Sequence, residues 1–243
     1  MVDIHSHILP GLDDGADNFE EALVMAKIAV ESGVTAITAT PHCMEARTKE
    51  IREKILILRD MLQEADIPLK VCMGMEIFGT SYTSRLLREK KLITLNNSRY
   101  PLVEFSFTSS GEEETNILRE MLWSGYIPIV AHPERYQFIR ENPQLINEWA
   151  KMGCLFQINK GSLLGKFGRD VKKMADSLLK RGFAAAVASD AHSDEVRTPW
   201  MREVYDYISD NFSYDEANRL LNENPKRILK NENIPSVTPE WYR

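Results

Sequence analysis

The stretch VDIHSH (residues 2–7) decides the fold. It starts apolar and β-branched, ends in two histidines one residue apart, and runs on into ILPGLDDG (8–15) with a pair of aspartates. Side chains alternate between the faces of a strand. Asp3, His5 and His7 then share one face, expected inside, while Val2 and Ile4 face helices. The HxH spacing lets two imidazoles of one strand reach a common ion from the same side.

Similar runs recur downstream: VTAITAT (34–40), LKVCMG (69–74), YPLVEFSF (100–107), IPIVAH (127–132), CLFQIN (154–159) and AAAVAS (184–189). Helical periodicity fills the gaps at 18–32, 45–65, 81–90, 112–124, 143–152 and 169–181, and returns near 199–210 and 214–230. Gly33, Gly125, Gly153 and Gly182 stand where helices hand over to strands, the position where only glycine enters the left-handed region cheaply. Regular βα alternation implies a parallel sheet. Seven strand candidates with chemistry at nearly every strand end favour a distorted (β/α)7 TIM-like barrel over a doubly wound sheet. A single domain is expected over 1–243, with NIPSVTPEWYR (233–243) as an extended C-terminal tail.

The chain has 243 residues, of which 43% are hydrophobic, enough for a large core. No apolar run approaches the roughly 20 residues that span a bilayer, and no basic, apolar leader precedes Asp3 and His5. The expectation is a cytoplasmic protein without membrane insertion. Cys43, Cys72 and Cys154 are odd in number and form no CxxC, which argues against a disulfide framework and a thiolate zinc site. A net charge of −6 argues against nucleic acid as a partner and poses a question for any anionic substrate.

All five histidines fall at or just past the C-terminal ends of expected strands: His5, His7, His42, His132 and His192. In a βα barrel those ends converge on one face, where active sites are built. Glu76, Glu104 and Asp190 join them, with Asp13 and Asp14 in the loop after the first strand. One histidine at a strand end is usually a satisfied core or surface residue, and Glu76 alone reads as a helix cap. Five of five histidines with matching acids is another matter. Glu104 in VEF weighs most, because an unpaired carboxylate in a buried strand is costly and a metal removes that cost.

The motifs DIHSH, ATPH (39–42), GMEI (74–77), LVEF (102–105), AHPER (131–135) and ASDAH (188–192) resemble those of the PHP (polymerase and histidinol phosphatase) superfamily. With LNNSRYPLVEF, GYIPIVAHPER and GSLLGKFG, the chain is most similar to the bacterial branch of manganese-dependent protein tyrosine phosphatases, which act with the tyrosine kinases of capsular and exopolysaccharide synthesis in Gram-positive bacteria. The resemblance runs over nearly the whole chain. It implies three divalent ions: one held by His5, His7, Glu76 and Asp190; a second by Glu76, Glu104 and His132; a third by Asp14, His42 and His192. Asp13, outside this set, is expected to shape the DDG turn with Gly15. The resemblance implies Mn²⁺, which suits oxygen-rich ligands, with Fe, Zn²⁺ and Mg²⁺ left open. It also supports arginines at Arg135 and Arg197, expected to grip phosphoryl oxygens while a metal-activated hydroxide attacks. Three divalent ions and two arginines outweigh four carboxylates, so the site is expected to be positive within an acidic chain.

His42-Cys43 opens like the H-C-x5-R loop of cysteine phosphatases, but Lys49 stands where the arginine belongs; Cys43 reads as a bystander. The alternatives are a small-molecule phosphatase of the histidinol-phosphate type, with a similar ligand set and a more enclosed mouth, and a non-catalytic binding module, against which the full ligand set argues. The expected partner is a phosphotyrosine protein, the tail of a bacterial tyrosine kinase. The sequence carries no signal for oligomeric state.

Overall fold

The computed structural model describes residues 1–43 and 47–235; the expectations for the Cys43 side chain and for 236–243 fall outside the described residues. Nine strands appear among them: β1 (Val2–Ser6), β2 (Ala36–Ala39), β3 (His42–Cys43), β4 (Lys70–Met73), β5 (Glu76–Phe78), β6 (Leu102–Glu104), β7 (Ile129–Ala131), β8 (Leu155–Asn159) and β9 (Ala184–Ala188). All ladders are parallel, in two sheets ordered β1-β2-β4 and β3-β5-β6-β7-β8-β9.

These nine segments are the seven expected paths, two of them broken. The first break falls at Thr40-Pro41, between β2 and β3. The second falls at Gly74-Met75, between β4 and β5. The neighbour relation survives the breaks, since β2 pairs with β4 and β3 with β5. Pro41 has no N–H to give a ladder, but its carbonyl accepts from Glu76 N at 3.1 Å. Gly74 is needed because a Cβ there would lie 3.0 Å from the methyls of Thr38 and Thr40. The first and last paths meet through one bridge, Ser6 opposite Ala191, flanked by His7 N–H to Ala191 O (2.8 Å) and Asp190 N–H to His5 O (2.9 Å). Lower down, the Asp3 carboxylate accepts the Ser189 N–H at 3.1 Å in place of a ladder bond. The seven paths thus form a ring joined at its C-terminal rim by a bridge, which is the distortion.

One expectation about β1 is corrected. Val2 and Ile4 pack with Leu102, Ile129, Ala131, Ala186 and Ala188. The neighbours of β1 in the ring are β2 and β9, so contact with β6 and β7 runs through the interior. The strand changes phase because Asp3 lies opposite Ile37 but Ser6 opposite Ala39: three steps in β1 match two in β2. A bulge of one residue re-aims the side chains beyond it. Val2 and Ile4 fill the barrel, and His5 and His7 still reach its mouth.

The outward residues Ile37, Val71, Ile77, Val103, Val130, Phe156, Ile158 and Val187 belong to the larger core, shared with the helices. The helix Phe19–Glu31 buries Ala22, Met25, Ala26 and Ala29, a 3–4 spacing that makes one face. Asn18 caps its start by accepting from Glu21 N, and Gly33 leaves it at φ 93°. The helix expected over 214–230 is interrupted by a wide turn at Arg219–Glu223. Pro225 cannot donate to the carbonyl four residues back, which favours such a turn. From there Asn224 Nδ2 satisfies Ala185 O at 2.8 Å, and Ile228 closes the bottom of the barrel with Leu95 and Tyr100. The short helices Gln137–Glu141 and Lys160–Leu163 were not expected. No described helix is long and apolar enough to cross a membrane.

Candidate metal centre

The rim gathers nine side chains. His5 comes from β1, His7 follows it, and Asp14 lies in the next loop. His42 belongs to β3, Glu76 opens β5 and Glu104 ends β6. His132 follows β7, and Asp190 and His192 follow β9. His132 and Asp190 turn at φ 36° and 50°. Positive φ in non-glycine residues is sparsely populated and clusters where function holds a backbone in place.

Hydrogen bonds at the far ends of the rings decide which nitrogen points inward. His5 Nδ1 donates to Gln157 Oε1 at 2.8 Å, and His7 Nδ1 donates to Asp13 Oδ2 at 2.7 Å. Both Nε2 atoms then carry lone pairs, and they face each other at 3.2 Å. Two lone pairs at that distance repel unless a cation lies against both. Glu76 Oε2 is 3.0 Å from His5 Nε2, 3.2 Å from His7 Nε2 and 3.2 Å from His42 Nδ1, yet makes no aligned hydrogen bond with any of them. His42 Nδ1, His132 Nδ1 and His192 Nε2 are likewise buried without a hydrogen-bond partner. Orphaned buried acceptors are costly. This donor set of imidazole and carboxylate fits divalent ions.

Three groups could hold an ion: His5, His7, Glu76 and Asp190; His7, Asp14, His42 and His192; and His42, Glu76 and Glu104. The first coincides with the expected set, and the second is the expected Asp14, His42, His192 set with His7 added. In the third, His42 stands where His132 was expected, with its Nδ1 2.7 Å from Glu104 Oε1. His132 instead reaches the other oxygen of Glu76, Nε2 to Oε1 at 2.8 Å.

Burial pushes the Glu76 carboxyl up, but His5, His132 and His7 around it win and hold it well below the usual carboxylate range. Burial lowers the His7 imidazole, and the bond to Asp13 with the nearby carboxylates of Asp190 and Glu76 overrides this and raises it well above its ordinary value, so in the ion-free cluster a proton takes the cation's place on Nε2. His192 is pushed down to about 4 by burial and by neighbouring His7. Its Nδ1 donates to the Asp190 carbonyl at 3.0 Å, so Nε2 is left as a neutral donor to a cation.

Arg135 and Arg197 both come to this cluster. Arg135 Nη1 lies 3.2 Å from Asp190 Oδ2, and Arg197 Nη2 and Asn159 Nδ2 bond the same oxygen. Cavities of about 380 Å³, beside Asp14 and His192, and about 590 Å³, beside Lys160, Phe167 and Trp200, flank Arg197.

Several supporting residues escaped the sequence reading. Asp13 does more than shape its turn: it accepts from Gly15 N, from the His42 backbone N at 2.7 Å and from the His7 ring. Gln157 and Asn159 alternate along β8, a signal that inward polar residues on a strand could have given. Glu134, buried in AHPER, accepts the Asn159 N–H at 2.9 Å. Lys160 is buried and donates to the carbonyls of Thr198 and Trp200, on either side of a turn next to Arg197.

A ring of parallel βα units with its polar cluster at the strand C-termini places the chain in the barrel-like α/β class. At this level it is similar to histidinol phosphate phosphatase from Lactococcus lactis, with a TM-score of 0.53, 13% identity, and 89% and 94% of the two chains covered, a likeness of fold alone. Residues 1–230 match the family model "Capsular polysaccharide synthesis, CpsB/CapC", and the chain belongs to that family. Tyrosine-protein phosphatase YwqE from Bacillus subtilis is 36% identical over 244 residues, covering 99% of this chain and 96% of the relative. A crystal structure from work on YwqE and on CpsB from Streptococcus pneumoniae, described as unique metal-dependent tyrosine phosphatases, superposes with a TM-score of 0.94 at 34% identity, over 100% of both chains.

Proposed function

We propose that this chain is a metal-dependent protein-tyrosine phosphatase. The observation that carries the reading is the gathering of five imidazoles and four carboxylates at one rim, with two guanidinium groups on Asp190. The full-length similarity to named tyrosine phosphatases favours it over the histidinol-phosphate alternative.

Divalent ions, when bound, polarise phosphoryl oxygens and acidify water at neutral pH. The chain's own residues do the rest. His5, His7, Glu76 and Asp190 hold the buried side of the cluster, and Asp14, His42 and Glu104 hold the open side, since the Asp14 side chain is 67% exposed and that of His42 is 37% exposed. Substrate therefore enters over Asp14 and His42. Gln157 and Asp13 fix the His5 and His7 rings, as second-layer partners of ligating histidines do. Arg135 and Arg197 bind the non-bridging oxygens of the phosphoryl group, a geometry the planar fork suits. A tyrosine leaving group has a pKa near 10, so it departs with modest proton assistance.

The finer reading follows the family: three ions, Mn²⁺ as the native metal, and a cytoplasmic enzyme acting on the tail of a tyrosine kinase in capsule or exopolysaccharide synthesis. The test is turnover of a phosphotyrosine peptide, the matching phosphoserine peptide and histidinol phosphate, with each metal returned to stripped protein. The expected outcome is phosphotyrosine first and Mn²⁺ ahead of Mg²⁺. Equal rates on the two peptides at matched low concentration would defeat the tyrosine assignment, and full activity after verified metal removal would defeat the metal reading.

A further inference from the structure

Arg135 lies over two aromatic rings. Its guanidinium carbon lies 5.1 Å from the Phe107 ring centre and 4.4 Å from that of Phe167. The rings come from separate segments: Phe107 follows β6, and Phe167 lies in GSLLGKFG between the helices Lys160–Leu163 and Arg169–Lys180. Neither phenylalanine is part of the apolar core clusters, and Phe107 is 43% exposed. Phe107 also stacks on the His132 ring, with centroids 6.2 Å apart, and packs tilted against Tyr136 at 5.5 Å, so its own position at the rim is fixed.

A guanidinium packed over aromatic rings donates its hydrogen bonds at its edges, where its N–H groups point. One edge already points at the cluster, Nη1 to Asp190 Oδ2 at 3.2 Å. The arginine backbone is also tied, since Arg135 N–H bonds the His132 carbonyl at 3.0 Å and Arg135 O accepts from Arg140 Nη1 at 2.6 Å. Backbone ties set where the side chain starts, and the two rings set the plane in which its fork lies.

We propose that Phe107 and Phe167 are positioning residues that hold the plane of Arg135, so that its edge meets the phosphoryl oxygens over the cluster. The inference rests on the phosphatase reading for its substrate but not for its geometry. It differs from a direct role in which Phe107 stacks on the phenol ring of the substrate, because a positioning ring acts through Arg135, while an effect of Phe107 through the stacked His132 ring would show as a change in metal content.

A double-mutant cycle separates the two. Wild type, Phe107→Leu, Arg135→Ala and the double variant are compared for kcat/KM on p-nitrophenyl phosphate and a phosphotyrosine peptide, and for affinity to inorganic phosphate by calorimetry, all with metal content measured. Phe167→Leu is run in parallel, so that one poorly folded variant does not decide the matter. Each leucine should lower kcat/KM and phosphate affinity by about 3- to 30-fold, the range of a cation–π contact, with metal content unchanged. In the Arg135→Ala background the same changes should cost less than about twofold. Full multiplicative losses in that background would overturn the proposal, and so would unchanged kinetics and phosphate affinity in both single leucine variants. If the wild type fails on phosphotyrosine while the phosphate-affinity cycle still shows coupling, the substrate reading falls and the positioning role stands.

Discussion

Asp13 and Gln157 determine what His7 and His5 offer the cluster, because each accepts the hydrogen bond of the outer ring N–H and so leaves the inner nitrogen to face a cation. Asp13→Ala should therefore weaken metal affinity about 10- to 100-fold, the usual cost of losing such a partner, measurable by competition with a coloured chelator. Unchanged affinity would reduce Asp13 to its turn with Gly15. Arg197 gives the complementary result. Arg197→Ala should retain the metals and lose on the order of 10²-fold in turnover, and lysine should restore only part of it; metal loss in the alanine variant would instead make Arg197 a support for Asp190. Lys160 offers a test by pH. Burial lowers its pKa from 10.5 to about 8. Between those values the unfolded chain holds the proton more tightly than the folded one, so stability rises with pH there. The gain is on the order of 3 kcal/mol across the window, and Lys160→Met should abolish it. Denaturation of metal-free protein at pH 8 and 10 reads the difference, and parallel behaviour of the two proteins would mean that the ammonium is better solvated than its burial implies.

At the scale of elements, the sequence was legible wherever local chemistry alone decides conformation. Gly33, Gly125, Gly153 and Gly182 all take positive φ at helix ends, because that choice is made by one residue. The strand paths were legible by their apolar runs. The bulge in β1 was not, since a period-two pattern read along one strand cannot register an extra residue that exists only relative to β2. The breaks at Pro41 and Gly74 escaped for a related reason: β3 and β5 are short, and their pairing is set by the neighbouring path. At the rim, strand-end histidines and acids announced the cluster, but which of His42 and His132 stands beside Glu104 depends on side-chain reach across three paths, which no spacing encodes. Asp13 was underread because its partner His7 is brought back to it by the loop. That loop makes its own prediction. A Cβ on Gly15 would fall 2.1 Å from His7 O and 2.6 Å from His7 Cβ, an impossible approach. Gly15→Ala must push the DDG turn off β1, at a cost of about 1–3 kcal/mol for such overpacking, and must move Asp13 off His7 with it. Denaturant midpoint and metal affinity should fall together; a stable Gly15→Ala protein with normal affinity would show that the turn can yield without disturbing the ring.

At the scale of the whole molecule, the cluster lies where the ring is least secured by backbone. The first and last paths share one bridge, Ser6 with Ala191, and on their other side the two sheets are continuous through the breaks between β2 and β3 and between β4 and β5. The side chains of the cluster span the bridge and stand just past both breaks: His5 and His7 face Asp190 and His192 across the bridge, and His42 and Glu76 lie just past the two breaks. Divalent ions held there would therefore act as staples for the fold as well as for chemistry. Ligands that bind only the folded state stabilise it by mass action, about 2.7 kcal/mol at one hundred times the dissociation constant for one site. For a chain of this length each kcal/mol moves the midpoint by roughly 2–4 °C. Chelation should thus lower Tm by about 5–10 °C per tightly held ion, and Mn²⁺ should restore it. Amide exchange should rise first at the His7 and Asp190 N–H groups, the bonds flanking the bridge, before the β8–β9 ladder opens. Glu76→Gln, which removes the charge common to two of the groups, should blunt the response to chelator while leaving the apolar core in place. An unchanged Tm after verified stripping would show that the ring holds without ions, and that the cluster serves the reaction alone.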